Sequence, residues 1–244
     1  MSKKLCSLAI LVVTLAALPV WAGGKQDKKV SEGFATVTDH QGRTVVIPQK
    51  PERIVAPFYI LSNTALAIGC REYIVSGDGG KSARPFIKEF APELADKPAC
   101  GGAKNLNLEA VASLSPDLIL VPFKAAQQLP QIEALGVPAL VIEPETMKNF
   151  FSYVEMLGAA SGNREQAQKL LTFYKTILND VAGFVKGEPA VSVYVASRSD
   201  PLNALSPKMF QAELVAAAGG KLVSDDITDV YWTKVSLEQV QKYA

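Results

Sequence analysis

Apolar runs of strand length alternate with stretches of helical periodicity along most of the chain. The runs 54–56, 73–76, 118–121, 139–142 and 191–196 are short and apolar. Between them, 61–68, 85–94, 107–114, 127–135 and 211–218 carry apolar residues at helical spacing. Gly69, Gly136 and Gly219 stand where three of these helices should end. The alternation predicts βα units around a parallel sheet. Upstream, 34–38 and 43–47 flank Asp39-His40-Gln41-Gly42, which predicts a hairpin with glycine at the turn. In 85–94 the spacing puts Phe86, Phe90 and Leu94 on one face. The stretch 163–185 differs: Leu170, Leu171, Tyr174, Ile177, Leu178, Val181 and Val185 recur over about six turns. This predicts a long helix between two α/β lobes. One continuous sheet with a long crossover helix is the alternative.

The segment NLNLEAVASLSPDLILV at 105–121 has a partial echo in KVSLEQVQKYA at 234–244. Asn107 and Ser236 are the predicted caps, followed by Glu109 and Glu238 in the first turn and by Val111 and Val240. Ser236 and Gln239 have the spacing of a capping box. The first copy passes through Ser115-Pro116 into a strand, whereas the second has no strand after it. The expectation is a second lobe that is incomplete. Strand 191–196 would then have an unpaired edge, and Val193, Val195, Leu214 and Val240 would be partly uncovered. The expected organisation is a signal peptide at 1–22, a flexible leader at 23–33, an α/β lobe at 34–147, a connector with the long helix at 148–188 and a partial α/β lobe at 189–244.

The reading of 1–22 comes from Lys3-Lys4, the apolar run 5–20 and Val20-Trp21-Ala22 before Gly23. That is the order of a cleavable secretory signal, and the run is short for a spanning helix. Cys6 lies too early to carry a lipid. Beyond residue 22, 23 basic side chains face 24 acidic ones, a balance of −1. Such a balance offers no footprint for nucleic acid. Export permits a disulfide between Cys70 and Cys100, although two isolated thiols without a metal-type spacing are more often small buried apolar groups.

In open α/β sheets, ligands bind beyond the carboxyl ends of the strands. The loops at those ends hold Phe58 and Tyr59; Lys81 and Arg84; Phe123 and Lys124; and Arg198. Tyr231 and Trp232 precede the second capped helix. The aromatics could stack on a planar ligand and the cations could neutralise an anionic one. Any one of them alone reads more readily as a solvated loop cation or rim aromatic than as a ligand contact, so the case rests on their joint placement. Support for an enzyme is thin. His40 is the single histidine and sits at a hairpin tip, and the chain has no G-x-S-x-G, H-E-x-x-H or Walker-type loop. Neither a catalytic residue nor a metal site is assigned. Glu109 and Glu238 have a plain structural explanation, since the helix dipole favours an acid in the first turn.

Taken in order, VTDHQGRTVVIP, PERIV, NLEAVASLSPDLILV, the long helix, ELVAAAGGKLV and YWTKVSLEQV resemble the periplasmic substrate-binding proteins of the iron-siderophore, haem and vitamin B12 importers. The resemblance covers 34–244. It implies an α/β fold of two Rossmann-like lobes joined by one long helix, with the ligand held between them and limited closure. It implies a partner, an ABC-importer permease in the inner membrane, whose arginines meet one acid on each lobe. Those positions match Glu109 and Glu238. It also implies a periplasmic location, no intrinsic cofactor, and a pocket aromatic at Trp232. Ala103 stands where vitamin B12 binding uses an aromatic. Tyr59 could hold a haem iron. With the cationic loops, the expected ligand is an anionic ferric chelate, with haem second and vitamin B12 third. From another class, an exported two-lobed enzyme is the alternative, because a fold does not fix a function.

Overall fold

The computed structural model describes residues 33–77 and 85–243. The signal peptide and most of the leader therefore lie outside the described residues. Strands β1 (Ala35–Thr38) and β2 (Thr44–Ile47) form the expected antiparallel hairpin, in register from Ala35 opposite Ile47 to Thr38 opposite Thr44. Its turn is organised by the buried Asp39. The Asp39 carboxylate accepts the amides of Gln41 and Arg43, each at 3.0 Å, and pairs with the Arg43 guanidinium at 2.5 Å.

Strands β3 (Ile54–Val55), β4 (Leu118–Pro122) and β5 (Ala139–Ile142) make a parallel sheet in the order β3-β4-β5. Single parallel bridges extend it, from Ile54 to Ile74 and from Gly77 to Ala99. Side chains alternate between its faces. Ile54, Leu118, Leu120, Leu140 and Ile142 join one buried cluster. Val55, Ile119, Val121, Ala139 and Val141 join another. Both faces are covered, which is why these strands read as continuous apolar runs.

Helix α1 (Tyr59–Ala67) contributes Leu61 and Ala65 to the first cluster. Helices α3 (Leu108–Ser113) and α4 (Leu129–Glu133) contribute Val111, Leu129 and Ile132 to the second. The predicted helix at 127–135 is a 3-10 turn (Phe123–Gln128) running into α4, with Pro130 near the helix start. Helix α2 (Pro85–Phe90) buries Ile87 and leaves Phe86 and Phe90 exposed, so the predicted apolar face is rotated. Ala91 breaks the helical geometry, and a separate 3-10 turn (Pro92–Leu94) then buries Leu94.

The connector holds two helices where one was expected. Helix α5 (Met147–Ser161) and helix α6 (Arg164–Phe184) form a helical hairpin broken at Gly162, whose φ of 78° is left-handed. They approach closely: a Cβ on Gly158 would stand 2.5 Å from that of Ala167. Tyr153 on α5 is fully buried and donates to the Leu61 carbonyl at 2.9 Å, fixing α5 to α1.

Beyond α6, β6 (Val191–Val193) pairs in parallel with β8 (Gly220–Leu222). Strands β7 (Asn203–Leu205) and β9 (Trp232–Lys234) pair antiparallel. The predicted strand 191–196 is shorter. Past β6 the chain turns back, and β7 bonds residues 195–197 instead, with the Leu205 amide on the Val195 carbonyl at 2.9 Å. Helix α7 (Phe210–Ala217) packs on β8, and helix α8 (Leu237–Tyr243) follows β9. Val193, Val195 and Val240 are half-buried and Leu214 is exposed. This half has a small core of Leu205, Ala212 and Leu222, backed by Val195, Met209 and Trp232. Cys70 and Cys100 are free thiols buried in separate clusters, and burial pushes both thiols up from the usual range.

Candidate functional site

A cleft of about 430 Å³ lies where the parallel sheet, the helical hairpin and the C-terminal half meet. The first turn of α1 supplies Phe58, Tyr59 and Ile60, because β3 ends at Val55 and the chain turns at Pro57 into the helix. The end of β4 supplies Lys124, and the end of β5 supplies Pro144 and Glu145. Phe150 of α5 and Tyr174 of α6 form a wall, and Met209, Phe210 and Gln211 close the opposite side. The aromatic rings hold one another. Phe58 meets Tyr59 edge-on at 4.6 Å. Phe150 sits among Phe151, Tyr174 and Phe210, with centroids at 6.1, 5.3 and 5.8 Å. A smaller cavity of about 30 Å³ adjoins the cleft, and its walls include Phe58, Ala103, Phe123 and Lys124.

Tyr231 spans the two halves. Its hydroxyl donates to Glu143 Oε1 at 3.2 Å and its ring meets Phe123 edge-on at 6.3 Å. Burial, and then the neighbouring Glu143 carboxylate, push the Tyr231 hydroxyl up from its ordinary range, so it stays protonated and donating. The Lys124 ammonium lies 5.2 Å from the rings of both Phe123 and Tyr231, and 3.6 Å from Glu145 Oε1. A second tie is the Met147 amide, which donates to Glu213 Oε2 of α7 at 2.5 Å.

The structure thus brings together Phe58, Tyr59, Phe123, Lys124 and Tyr231 from the predicted set. Trp232 lies next to them in sequence but faces the small C-terminal core, because alternation along β9 turns it away from the side of Tyr231. Arg198 is exposed in the loop before β7 and is absent from the cleft walls. Lys81 and Arg84 lie outside the described residues. The residues that sequence reasoning passed over are Glu143, Glu145, Phe150, Tyr174, Met209 and Phe210. The strand-end rule that found Lys124 applies equally to β5, and it points at Glu143-Pro144-Glu145.

His40 is also closer to the sheet ends than its hairpin position suggested. Its amide donates to the Val141 carbonyl at 3.1 Å, and its Nδ1 accepts the Glu143 amide at 2.8 Å. The hairpin tip therefore docks on the carboxyl end of β5. Among the described residues, no group of three or more His, Cys, Asp or Glu side chains could hold a metal ion. No described helix is long and apolar enough to cross a membrane.

A ligand-sized cleft thus lies between two α/β halves beside a long helix. The family profile described as periplasmic binding protein matches residues 63–244. The chain belongs to this family. The vitamin B12-binding protein of Pectobacterium carotovorum subsp. carotovorum (strain PC1) is 24% identical over 194 residues, covering 78% of this chain and 67% of the relative. The molybdate periplasmic binding protein MolA of Haemophilus influenzae superposes with a TM-score of 0.71 at 20% identity, covering 85% of this chain and 71% of that one. The siderophore binding protein BauB, solved with acinetobactin and ferric iron, gives 0.68 at 17% identity, covering 85% of this chain and 73% of that one. At these identities the structural likeness is one of fold, a two-lobed α/β architecture. Members of the periplasmic binding protein family serve ABC importers by binding substrates, and work with a membrane permease.

Proposed function

We propose that this periplasmic binding protein captures a ferric chelate in the cleft and delivers it to an ABC permease, as a binder and not as a catalyst. The observation that carries this reading is the lining. Five aromatic rings, Phe58, Tyr59, Phe150, Tyr174 and Phe210, surround about 430 Å³ with Lys124 as the cation among them. Rings of this kind suit the flat aryl groups of an iron chelator, and the ammonium suits its negative charge. The pairing of Lys124 with Glu145 limits the positive charge on offer, which favours a chelate of low net charge over a small oxyanion. Ala103 puts a small side chain beside the cleft. The signal peptide expected at 1–22 supports a periplasmic location for this function.

Native mass spectrometry with ferric catecholate, ferric citrate, haem, cobalamin and molybdate tests the reading. Stoichiometric retention of a ferric chelate without turnover is expected. Preferential retention of cobalamin or molybdate overturns it, and chemical conversion of the bound compound would show an enzyme.

For permease docking, Glu109 and Glu238 are the proposed contacts. Both are exposed, and each sits in the first turn of a helix opened by the same kind of cap. Separated charges of this kind orient a partner more than they add affinity.

A further inference from the structure

Lys124 is the cation in the cleft walls, and its side chain is 40% exposed on a flexible four-carbon stem. Such a stem loses rotamer freedom when its ammonium binds an anion, and that loss subtracts from the attraction. Here the ammonium is already lodged. It lies 5.2 Å from the ring centroids of both Phe123 and Tyr231, within cation–π range, and 3.6 Å from Glu145 Oε1. Phe123 directly precedes Lys124, so its ring arrives on the same turn. Tyr231 comes from the C-terminal half. It is absent from the walls of both the cleft and the smaller cavity beside it. What it meets is Lys124, which lines both spaces. Two bonds keep Tyr231 in that place. Its hydroxyl donates to Glu143 Oε1 at 3.2 Å, and its carbonyl accepts the Ser206 amide at 3.1 Å. Each anchor is fixed in turn. The Glu143 amide donates to His40 Nδ1 at 2.8 Å. Ser206 is fully buried, and its carbonyl accepts the amide of Met209, which is itself a cleft wall.

We infer that Tyr231 is a positioning residue. It acts on the ligand through Lys124, holding the ammonium ready for the ligand's anionic group. The C-terminal half thereby sets how strongly the cleft attracts negative charge, although Lys124 belongs to the other half. The inference rests on the reading of Lys124 as the group that meets an anionic chelate. It also assigns Tyr231 a charge-selective effect: removing the ring lowers affinity only where Lys124 and a negative ligand are both present.

The test measures binding of two hexadentate iron(III) complexes, a trianionic tris-catecholate and a neutral tris-hydroxamate. Tyr231→Leu should weaken the tris-catecholate about five-fold and leave the tris-hydroxamate near wild type. In a Lys124→Met background the same change should have no further effect on either complex. Tyr231→Phe keeps the ring but frees it from Glu143. It should lose about two-fold with the trianion alone, and it carries the same comparison if Tyr231→Leu does not fold. Equal weakening of both complexes would show a residue that merely braces the fold. A loss that persists without Lys124 would show direct contact with the ligand. Either result, or an unchanged affinity for the tris-catecholate, overturns the inference. A second readout needs no ligand: the NMR signal of the Lys124 ε-methylene protons, assigned by its loss in Lys124→Met. The two rings should displace this signal, and Tyr231→Leu should return it toward that of a free lysine. If neither iron complex binds but the signal moves in this way, the chelate reading falls and the positioning of Lys124 stands. A signal alike in wild type and Tyr231→Leu overturns the positioning.

Discussion

His40 commits Nδ1 to accepting a backbone amide, so the bond requires the neutral ring. Its Nε2 is buried without a partner among the described residues. Burial lowers its pKa from 6.5, and the carboxylates of Glu143 and Asp39 only partly oppose the shift. Asp39 is itself held by Arg43, which also reaches Glu133 at 2.7 Å. A histidine whose folded pKa is depressed adds stability above its unfolded value and loses it as pH falls through the folded one. Urea unfolding should therefore give a stability that declines with acidity below about pH 6.5, with a shallower decline in His40→Asn. Equal slopes for the two proteins would show that other groups set the pH dependence. At this scale the sequence was a partial guide. It placed Lys124 and Tyr231, but Phe150, Tyr174 and Phe210 lie at helical positions where an aromatic reads as ordinary core. Nothing local marks the side of a helix that will face a cleft.

The repeated helix start at 107 and 236 is real in its geometry. Asn107 Oδ1 accepts the Ala110 amide and Ser236 Oγ accepts the Gln239 amide, both at 3.1 Å. After α3, Ser115 takes a φ of 44°, and the Arg53 guanidinium donates to the Leu114 and Ser115 carbonyls at 2.7 and 3.1 Å. Asp117 then accepts the amides of Glu52 and Arg53 at 2.8 and 2.9 Å. The motifs PERIV and SPDLILV are thus two halves of one joint that seats β3 beside β4. Asp117→Ala should lower stability by about 1–2 kcal/mol in chemical denaturation, while ligand affinity stays near wild type. For the first-turn acids, Glu109→Arg and Glu238→Arg should abolish uptake in a reconstituted permease assay and leave ligand affinity nearly unchanged. Weaker ligand binding with normal uptake per bound ligand would remove them from the docking face.

Across the whole molecule the apolar core is uneven. The parallel sheet is buried on both faces by two large clusters. The C-terminal half centres on three buried residues, Leu205, Ala212 and Leu222, with Val191, Leu214 and Leu237 exposed. Local opening is easiest where few apolar contacts resist it. Hydrogen exchange should therefore show β4 and β5 protected to the level of global unfolding, and β6 to β9 exchanging by smaller openings. Uniform protection across 35–243 would show that the two halves unfold as one.

The sequence by itself determined the alternation of strands and helices, the long helix and the capped starts, because periodicity, caps and turn residues act over a few positions. Through the order of its motifs it also pointed to the family. The helix α5 was legible but passed over, since Met147, Phe150, Phe151, Val154 and Leu157 recur at helical spacing; the turn that splits the strand at 191 was not legible. Only the tertiary structure decided that His40 docks on β5 and that Trp232 faces a core while Tyr231 spans the cleft. These outcomes depend on which elements meet, and long-range packing leaves no mark on local spacing.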